Sequence, residues 1–146
     1  MERNQKALDI LLVDDNEDDV FFVKKAFKHA RLVNVLTVLS DGEQAIQYLK
    51  KEEPYADSVM PDLILLDINM PKVNGFEVLE YIKSQKHLLS LPVVMLTTSE
   101  RDEDIIKSYE SGACSYIQKP VDFNKMVEVA ERFEFYWCLT TKLPRS

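Results

Sequence analysis

The sequence predicts an α/β fold: an open sheet of five parallel strands, each followed by a helix. Three observations lead there. Five short strand-like runs, most of them apolar and the first rich in β-branched residues, are spread along the 146 residues, and short apolar runs read as strands buried on both faces. After each run, apolar residues recur at helical spacing. Regular alternation of strand and helix then means parallel strands joined by right-handed crossovers.

The first strand is Ile10-Leu11-Leu12-Val13, and it ends in Asp14-Asp15. Asn16 can cap the helix that follows, with Asp19 three residues on and an acidic first turn that suits the helix dipole. Val20, Val23, Ala26 and Phe27 make its inward stripe, which fades near His29-Ala30-Arg31. Val33 to Leu39 is the second strand. Asp41 caps the second helix, Gln44 completes a capping box, and Ala45, Ile46 and Leu49 face inward. Lys50 to Pro61 is the longest irregular stretch. Loops of that length are uncommon in compact domains, so it is expected to be a binding or packing element.

Leu63 to Asp67 is the third strand. Pro71 cannot donate a backbone hydrogen bond and Gly75 follows, so the chain turns there. A third helix covers about Phe76 to Gln85, with Val78, Leu79 and Ile82 inward. Pro92 to Leu96 is the fourth strand, ending at Thr97-Thr98-Ser99. The fourth helix spans roughly Asp102 to Ser111, with Ile106 inward and Gly112 as C-cap. Ser115 to Gln118 is a short fifth strand ending at Lys119-Pro120. The last helix begins near Asp122 and runs to about Thr141.

Composition narrows the function. The length is that of one domain. Hydrophobic residues at 46% and charged residues at 29% fit a globular protein and argue against disorder. A net charge of −7 speaks against direct nucleic-acid binding, which needs basic stripes. No apolar run approaches the ~20 residues of a membrane span. The polar start Met1-Glu2-Arg3-Asn4-Gln5-Lys6 lacks an apolar signal region, so a cytoplasmic protein is expected. Cys114 and Cys138 are too few and too far apart for a disulfide framework or a metal knuckle, and are expected as reduced thiols. His29 and His87 stand apart from each other and from any acid at ligand spacing. Three glycines leave no glycine-rich phosphate loop.

The strand ends carry the chemistry. Ligands of open parallel sheets bind beyond the carboxyl ends of the strands. There the first strand delivers Asp14 and Asp15, the third Asp67, the fourth Thr97 and the fifth Lys119. An aspartate at one strand end is either a loop anchor or a chemical group; polar groups at four of five ends favour chemistry. Unit charges about 4 Å apart repel by roughly 4 kcal/mol at an effective dielectric of about 20, so three carboxylates at one edge call for a cation. Hard divalent ions take oxygen ligands, and Mg²⁺ is held by one or two carboxylates plus phosphate and water. A cation, an ammonium and a hydroxyl around an aspartate neutralise a phosphoryl group, and carboxylates accept phosphoryl groups covalently. The residues therefore point to an Mg²⁺-dependent aspartyl phosphate site.

The set Asp14-Asp15, Asp67 with Asn69-Met70-Pro71 and Gly75, Thr97, and Lys119-Pro120 resembles the receiver domain of two-component response regulators, from about Ala7 to Phe135. The resemblance implies a flavodoxin-like, doubly wound five-stranded parallel sheet in the order 2-1-3-4-5. It implies Asp67 as phosphoacceptor from a histidine kinase's phosphohistidine, and Asp15, Asp67 and the backbone carbonyl of Asn69 as ligands of Mg²⁺ or Mn²⁺. Asp14 would reach the metal through water. Thr97 would be the switch hydroxyl, Lys119 the ion-pair partner of the phosphate, and Tyr116 an aromatic that turns inward as Thr97 moves. The Lys119–Pro120 peptide would be cis. Thr98 departs from the commoner, smaller residue and would slow access to the phosphate. Such a receiver phosphorylates and dephosphorylates itself and is not an enzyme with an outside substrate.

With no effector domain after the last helix, output is expected through a partner or a homodimer. The surface expected to switch combines the fourth helix, fifth strand and fifth helix. In that last helix Phe123, Met126, Val127, Ala130, Phe133 and Trp137 form a core stripe, while Val129, Tyr136 and Leu139 extend the apolar surface to a second side. The alternative is a helix that wraps further over its own core. The Lys50–Pro61 insert and the aromatic tail are similar to single-domain regulators paired with bacterial phytochromes, which implies a light-sensing histidine kinase as partner. Two other functions were weighed: a degenerate receiver acting as a phosphorylation-independent binding module, and an aspartyl-phosphate phosphatase. The phosphatase needs a second acid two residues after its nucleophile, where this chain has Asn69.

Overall fold

The computed structural model describes residues 8–29, 34–70, 72–97, 102–113, 115–119 and 123–142; for 34, 102, 103, 106 and 134–142 it describes the backbone alone. Five strands, β1 (Leu8–Val13), β2 (Asn34–Leu39), β3 (Leu63–Asp67), β4 (Val93–Thr97) and β5 (Ser115–Gln118), alternate with five helices, α1 (Glu17–Lys28), α2 (Gly42–Lys50), α3 (Gly75–Ser84), α4 (Asp102–Glu110) and α5 (Phe123–Lys142). All strand pairs are parallel and the order is β2-β1-β3-β4-β5. Among the sequence expectations, Val33, Thr98, Cys114 and Pro120 lie outside the described residues, as do the side chains of Ile106, Tyr136, Trp137, Cys138 and Leu139.

Every residue of β3 and β4 is buried, as continuous apolar runs require of strands covered on both faces. Side chains alternate across the sheet and so divide the core in two. On one face Leu11, Val13, Ile64, Leu66, Val93 and Met95 meet Ala45 and Leu49 of α2 and Val78, Leu79 and Ile82 of α3. On the other, Ile10, Leu12, Leu63, Leu65, Val94, Leu96 and Ile117 meet Val23, Ala26 and Phe27 of α1 and Met126 and Ala130 of α5.

The helix starts show which local signals operate. Asn16 accepts from the Asp19 amide and Asp41 from the Gln44 amide, at 3.0 and 2.8 Å. The expected capping box at α2 is only half made. The Gln44 side chain turns back to the Ser40 amide and hydroxyl, 3.1 and 3.3 Å away, instead of the Asp41 amide. A complete box occurs at α3, where Asn74 and Glu77 exchange bonds at 3.0 and 2.9 Å. Gly112, at φ +105°, ends α4 as expected, with Ala113 N–H bonding back to the Ser108 carbonyl at 2.9 Å.

The stretch from Lys50 to Pro61 is a packing element. Tyr55 and Met60 cover the core face under α2 and α3. Tyr55 lies 5.5 Å from the Tyr48 ring, and Ser58 Oγ donates to the Tyr48 carbonyl at 3.1 Å. The cis peptide among the described residues is Glu53–Pro54. In α5, Val129 and Phe133 pack in part against the core, so Val129 belongs to the helix's own inward side and not to a separate outer stripe.

Gly75 positions the site strand from behind. Its N–H donates to the Ile68 carbonyl at 2.9 Å, and a Cβ there would strike the Asp67 carbonyl oxygen and the Ile68 Cα. Both obstacles are backbone, so neither can step aside alone. Gly75→Ala should therefore lower unfolding free energy by about 2 kcal/mol, read as a lower urea midpoint at unchanged slope. An unchanged midpoint would show that the β3–α3 turn yields freely.

Candidate functional site

The carboxyl ends of β1, β3 and β5 converge. Asp14 follows β1 directly, tied into the sheet by its N–H on the Leu39 carbonyl at 3.0 Å. Asp67 is the last residue of β3 and sits opposite Leu96 of β4. Lys119 follows β5, and its N–H donates to the Thr97 carbonyl at 2.6 Å. The chain thus delivers an ammonium across the end of β4 and into the middle of the sheet.

There Lys119 Nζ meets three carboxylates. It lies 3.1 and 3.0 Å from the two oxygens of Asp14, 2.8 Å from Asp19 Oδ2 and 3.3 Å from Asp67 Oδ2. All four side chains are more than nine-tenths buried. Buried charges survive only when paired and hydrogen-bonded, and backbone donors complete the set. Asn16 N–H reaches Asp14 Oδ1 at 2.9 Å, and Asn69 N–H reaches Asp67 Oδ1 at 3.2 Å.

Asp14, Asp15 and Asp67 each offer an oxygen, all within 4.8 Å of one another. Asp15 is exposed while the other two are buried, so this cluster opens to solvent on one side. Asp14 Oδ2 is buried with no hydrogen-bond donor aligned on it, although the ammonium lies nearby. An all-oxygen set of three carboxylates with one side open to solvent suits a hard divalent cation. Asn69 is exposed beside it. Thr97 ends β4, buried, and Tyr116 of β5 is half-buried, its ring edge-on to Tyr109 of α4 at 6.0 Å.

The charges perturb one another. Burial raises the Asp67 carboxyl to about 6; the Asp14 charge adds to this, and Lys119 and the Asn69 N–H oppose it. Burial also raises Asp14, against the Asn16 N–H and Lys119. For Lys119, burial acts to lower the ammonium, but the hydrogen bond to Asp19 and the charges of Asp67 and Asp14 together hold it above the usual lysine range.

Asp19 is the group that sequence reasoning missed. It was assigned to the acidic first turn of α1, yet its side chain points into the cluster. Its position carried a signal: Asp19, Val23, Ala26 and Phe27 are the buried residues of α1, so the acid occupies the helix's inward stripe.

The family model for the response regulator receiver domain matches residues 10–131. This chain belongs to the response regulator receiver family. Response regulator Rcp1 of Synechocystis is 38% identical over 137 residues, 94% of this chain and 93% of Rcp1. The crystal structure of the phosphorylated cyanobacterial phytochrome response regulator RcpA superposes with a TM-score of 0.82 at 36% identity, covering 96% of this chain and all of that one. The Mn²⁺-bound form of Rcp1 superposes at 0.80 with 37% identity, covering 94% and 99%. The receiver fold and strand order expected from the motifs are thus observed. Among the described residues of this receiver, no helix is long and apolar enough to cross a membrane.

Ionised Asp67 is held at a cost in the metal-free receiver. Its folded value near 6 exceeds the ordinary 3.8. Folding therefore favours the protonated form, and that stabilisation is complete below pH 4 and lost as pH rises through 6. Roughly two pH units at about 1.4 kcal/mol each give a ceiling of about 3 kcal/mol. Without divalent metal, Asp67→Asn should be more stable than the parent at pH 7.5 by about 1–3 kcal/mol, and nearly equal to it at pH 4. Urea unfolding across that range checks this; a gap that does not change with pH would contradict it.

Proposed function

We propose that this receiver is a phosphorylation switch that takes a phosphoryl group onto Asp67 from the phosphohistidine of a histidine kinase. The N–P bond of the donor breaks, a bond forms between phosphorus and one Asp67 carboxylate oxygen, and the imidazole nitrogen takes up a proton. The observation that carries this reading is the burial of Asp67 against Lys119 beside an open three-carboxylate cluster.

Asp15, Asp67 and the Asn69 carbonyl would hold Mg²⁺, with Asp14 acting through water. Bound there, the ion supplies positive charge to the phosphoryl oxygens. Lys119 supplies a second, fixed positive charge already within contact distance of the acceptor. Thr97, at the end of the neighbouring strand, is the proposed switch hydroxyl. Tyr116, packed edge-on against α4, is the proposed reporter of its movement to the α4–β5–α5 surface. Phosphorylation and dephosphorylation are self-catalysed. The presence of the acceptor, acids and lysine together in one cluster favours this over a phosphorylation-independent binding module.

The similarity to RcpA and Rcp1 supports a phytochrome-type histidine kinase as donor, and with it a cytoplasmic site of action. A small-molecule phosphodonor with Mg²⁺ should add one base-labile phosphoryl group, seen by intact mass. It should be absent in Asp67→Asn and at least tenfold slower in Asp15→Asn or with chelator. A phytochrome kinase should transfer faster than an unrelated histidine kinase. Label at another residue, or turnover of free phosphomonoesters, would displace this assignment.

For output we propose self-association through the α4–β5–α5 side, with the end of α5 contributing. Sedimentation with and without beryllofluoride should show a larger mass for the activated form, lost on truncation after Phe133. The same mass in all four samples would direct the search to a different partner.

A further inference from the structure

An ammonium has three N–H bonds. In this structure three acids, Asp14, Asp19 and Asp67, stand within 3.3 Å of Lys119 Nζ, and the shortest contact, 2.8 Å, is to Asp19. The contact to Asp67, the proposed acceptor, is the longest at 3.3 Å. Asp19 does not lie among the three acids that cluster for a metal, and its backbone N–H is already committed to the Asn16 cap. Its carboxylate is directed at the lysine. The side chain is nine-tenths buried, so solvent does little to screen it.

We propose, on the footing that Asp67 is the acceptor, that Asp19 is a positioning residue: it holds Lys119 in the resting state and competes with the phosphoryl group for the ammonium. A phosphoryl group brings additional negative charge and new acceptor oxygens to Asp67. To serve them the ammonium has to release one of its present partners. Asp14 touches it with both oxygens and is anchored by the Asn16 N–H, and Asp67 carries the phosphoryl group itself. Asp19, on a helix and not on the sheet, is the partner to be exchanged. Asp19 thereby sets how tightly the activated state is held.

Two effects of losing the Asp19 charge oppose each other. The lysine would lose an anchor that keeps it near Asp67, which weakens phosphate binding. It would also sit in a less negative surrounding and exchange the Asp19 contact for a phosphate oxygen more readily, which strengthens it. Asparagine keeps the size and the acceptor oxygen of aspartate, so the anchor persists while the charge goes. The second effect then dominates, and Asp19→Asn should bind the activating anion more tightly.

The test is beryllofluoride affinity at saturating Mg²⁺, measured by titration calorimetry in four proteins: the parent, Asp19→Asn, Lys119→Met and the double variant. Asp19→Asn is expected to tighten binding about tenfold and to lengthen the lifetime of the phosphorylated state. In the Lys119→Met background the same substitution should change affinity less than twofold, or neither lysine-less protein should bind measurably. Unchanged or weaker binding in a folded Asp19→Asn protein would overturn the proposal. An equal gain with and without the lysine would also overturn it, because the carboxylate would then be repelling the anion directly. Asp19→Gln, which also keeps an acceptor oxygen without the charge, is judged by the same limits and replaces Asn if that variant fails to fold by circular dichroism. No binding by the parent would instead remove Asp67 as acceptor, and the proposal with it.

Discussion

A single buried ammonium holds the carboxyl edge of this sheet together. Lys119 pairs with carboxylates delivered by β1, by β3 and by the first turn of α1, all buried around it. One positive charge against three acids leaves the cluster negative. Burial raises the carboxyls of Asp14 and Asp67, and the neighbouring acid charges add to this. A hydrophobic substitute for the lysine would leave the acids facing each other; a second lysine would remove the deficit that attracts a divalent cation. The site is thus kept short of one cation by its own composition.

The burial that makes the charges strong is a property of the sheet. Leu63 to Leu66 are fully buried, and the strand carries Asp67 to the edge of that apolar slab without a flexible link. Gly75 closes the turn behind it because no side chain fits there. Asp67 is consequently fixed at its backbone, with the Lys119 side chain as its charged neighbour.

Much of this was legible because strand ends are legible. An apolar run that stops at a polar residue marks where a parallel strand meets its crevice, and Asp14, Asp67, Thr97 and Lys119 were each found in that way. Asp19 was not, because two readings of one residue competed. An acid in the first turn of a helix already has a sufficient reason in the dipole, and that reason hid the inward direction given by Val23 and Ala26. Gln44 went the other way: the capping box pattern was present, but Ser40 offered both an N–H and a hydroxyl within reach. The length of the Lys50–Pro61 stretch marked it as a binding or packing element, but not which residues pack, because Tyr55 and Met60 are isolated apolar residues without a period.

Lys119 also explains how charge at Asp67 can be felt far from it. It follows β5, the short strand at the edge of the sheet, whose pairing is to β4 alone. Tyr116 on that strand rests against Tyr109 of α4, and the chain after the lysine leads into α5. The acids it binds lie on the central strands and on α1, which packs with α5 on the same core face. The ammonium is therefore a tie between the well-buried middle of the sheet and its least supported margin. In the proposed switch, added charge at Asp67 changes the attraction on the Lys119 ammonium, and the backbone that carries this side chain follows a four-residue edge strand paired to β4 alone. That arrangement supports the proposed route by which a phosphoryl group on Asp67 reaches the surface where α4, β5 and α5 meet.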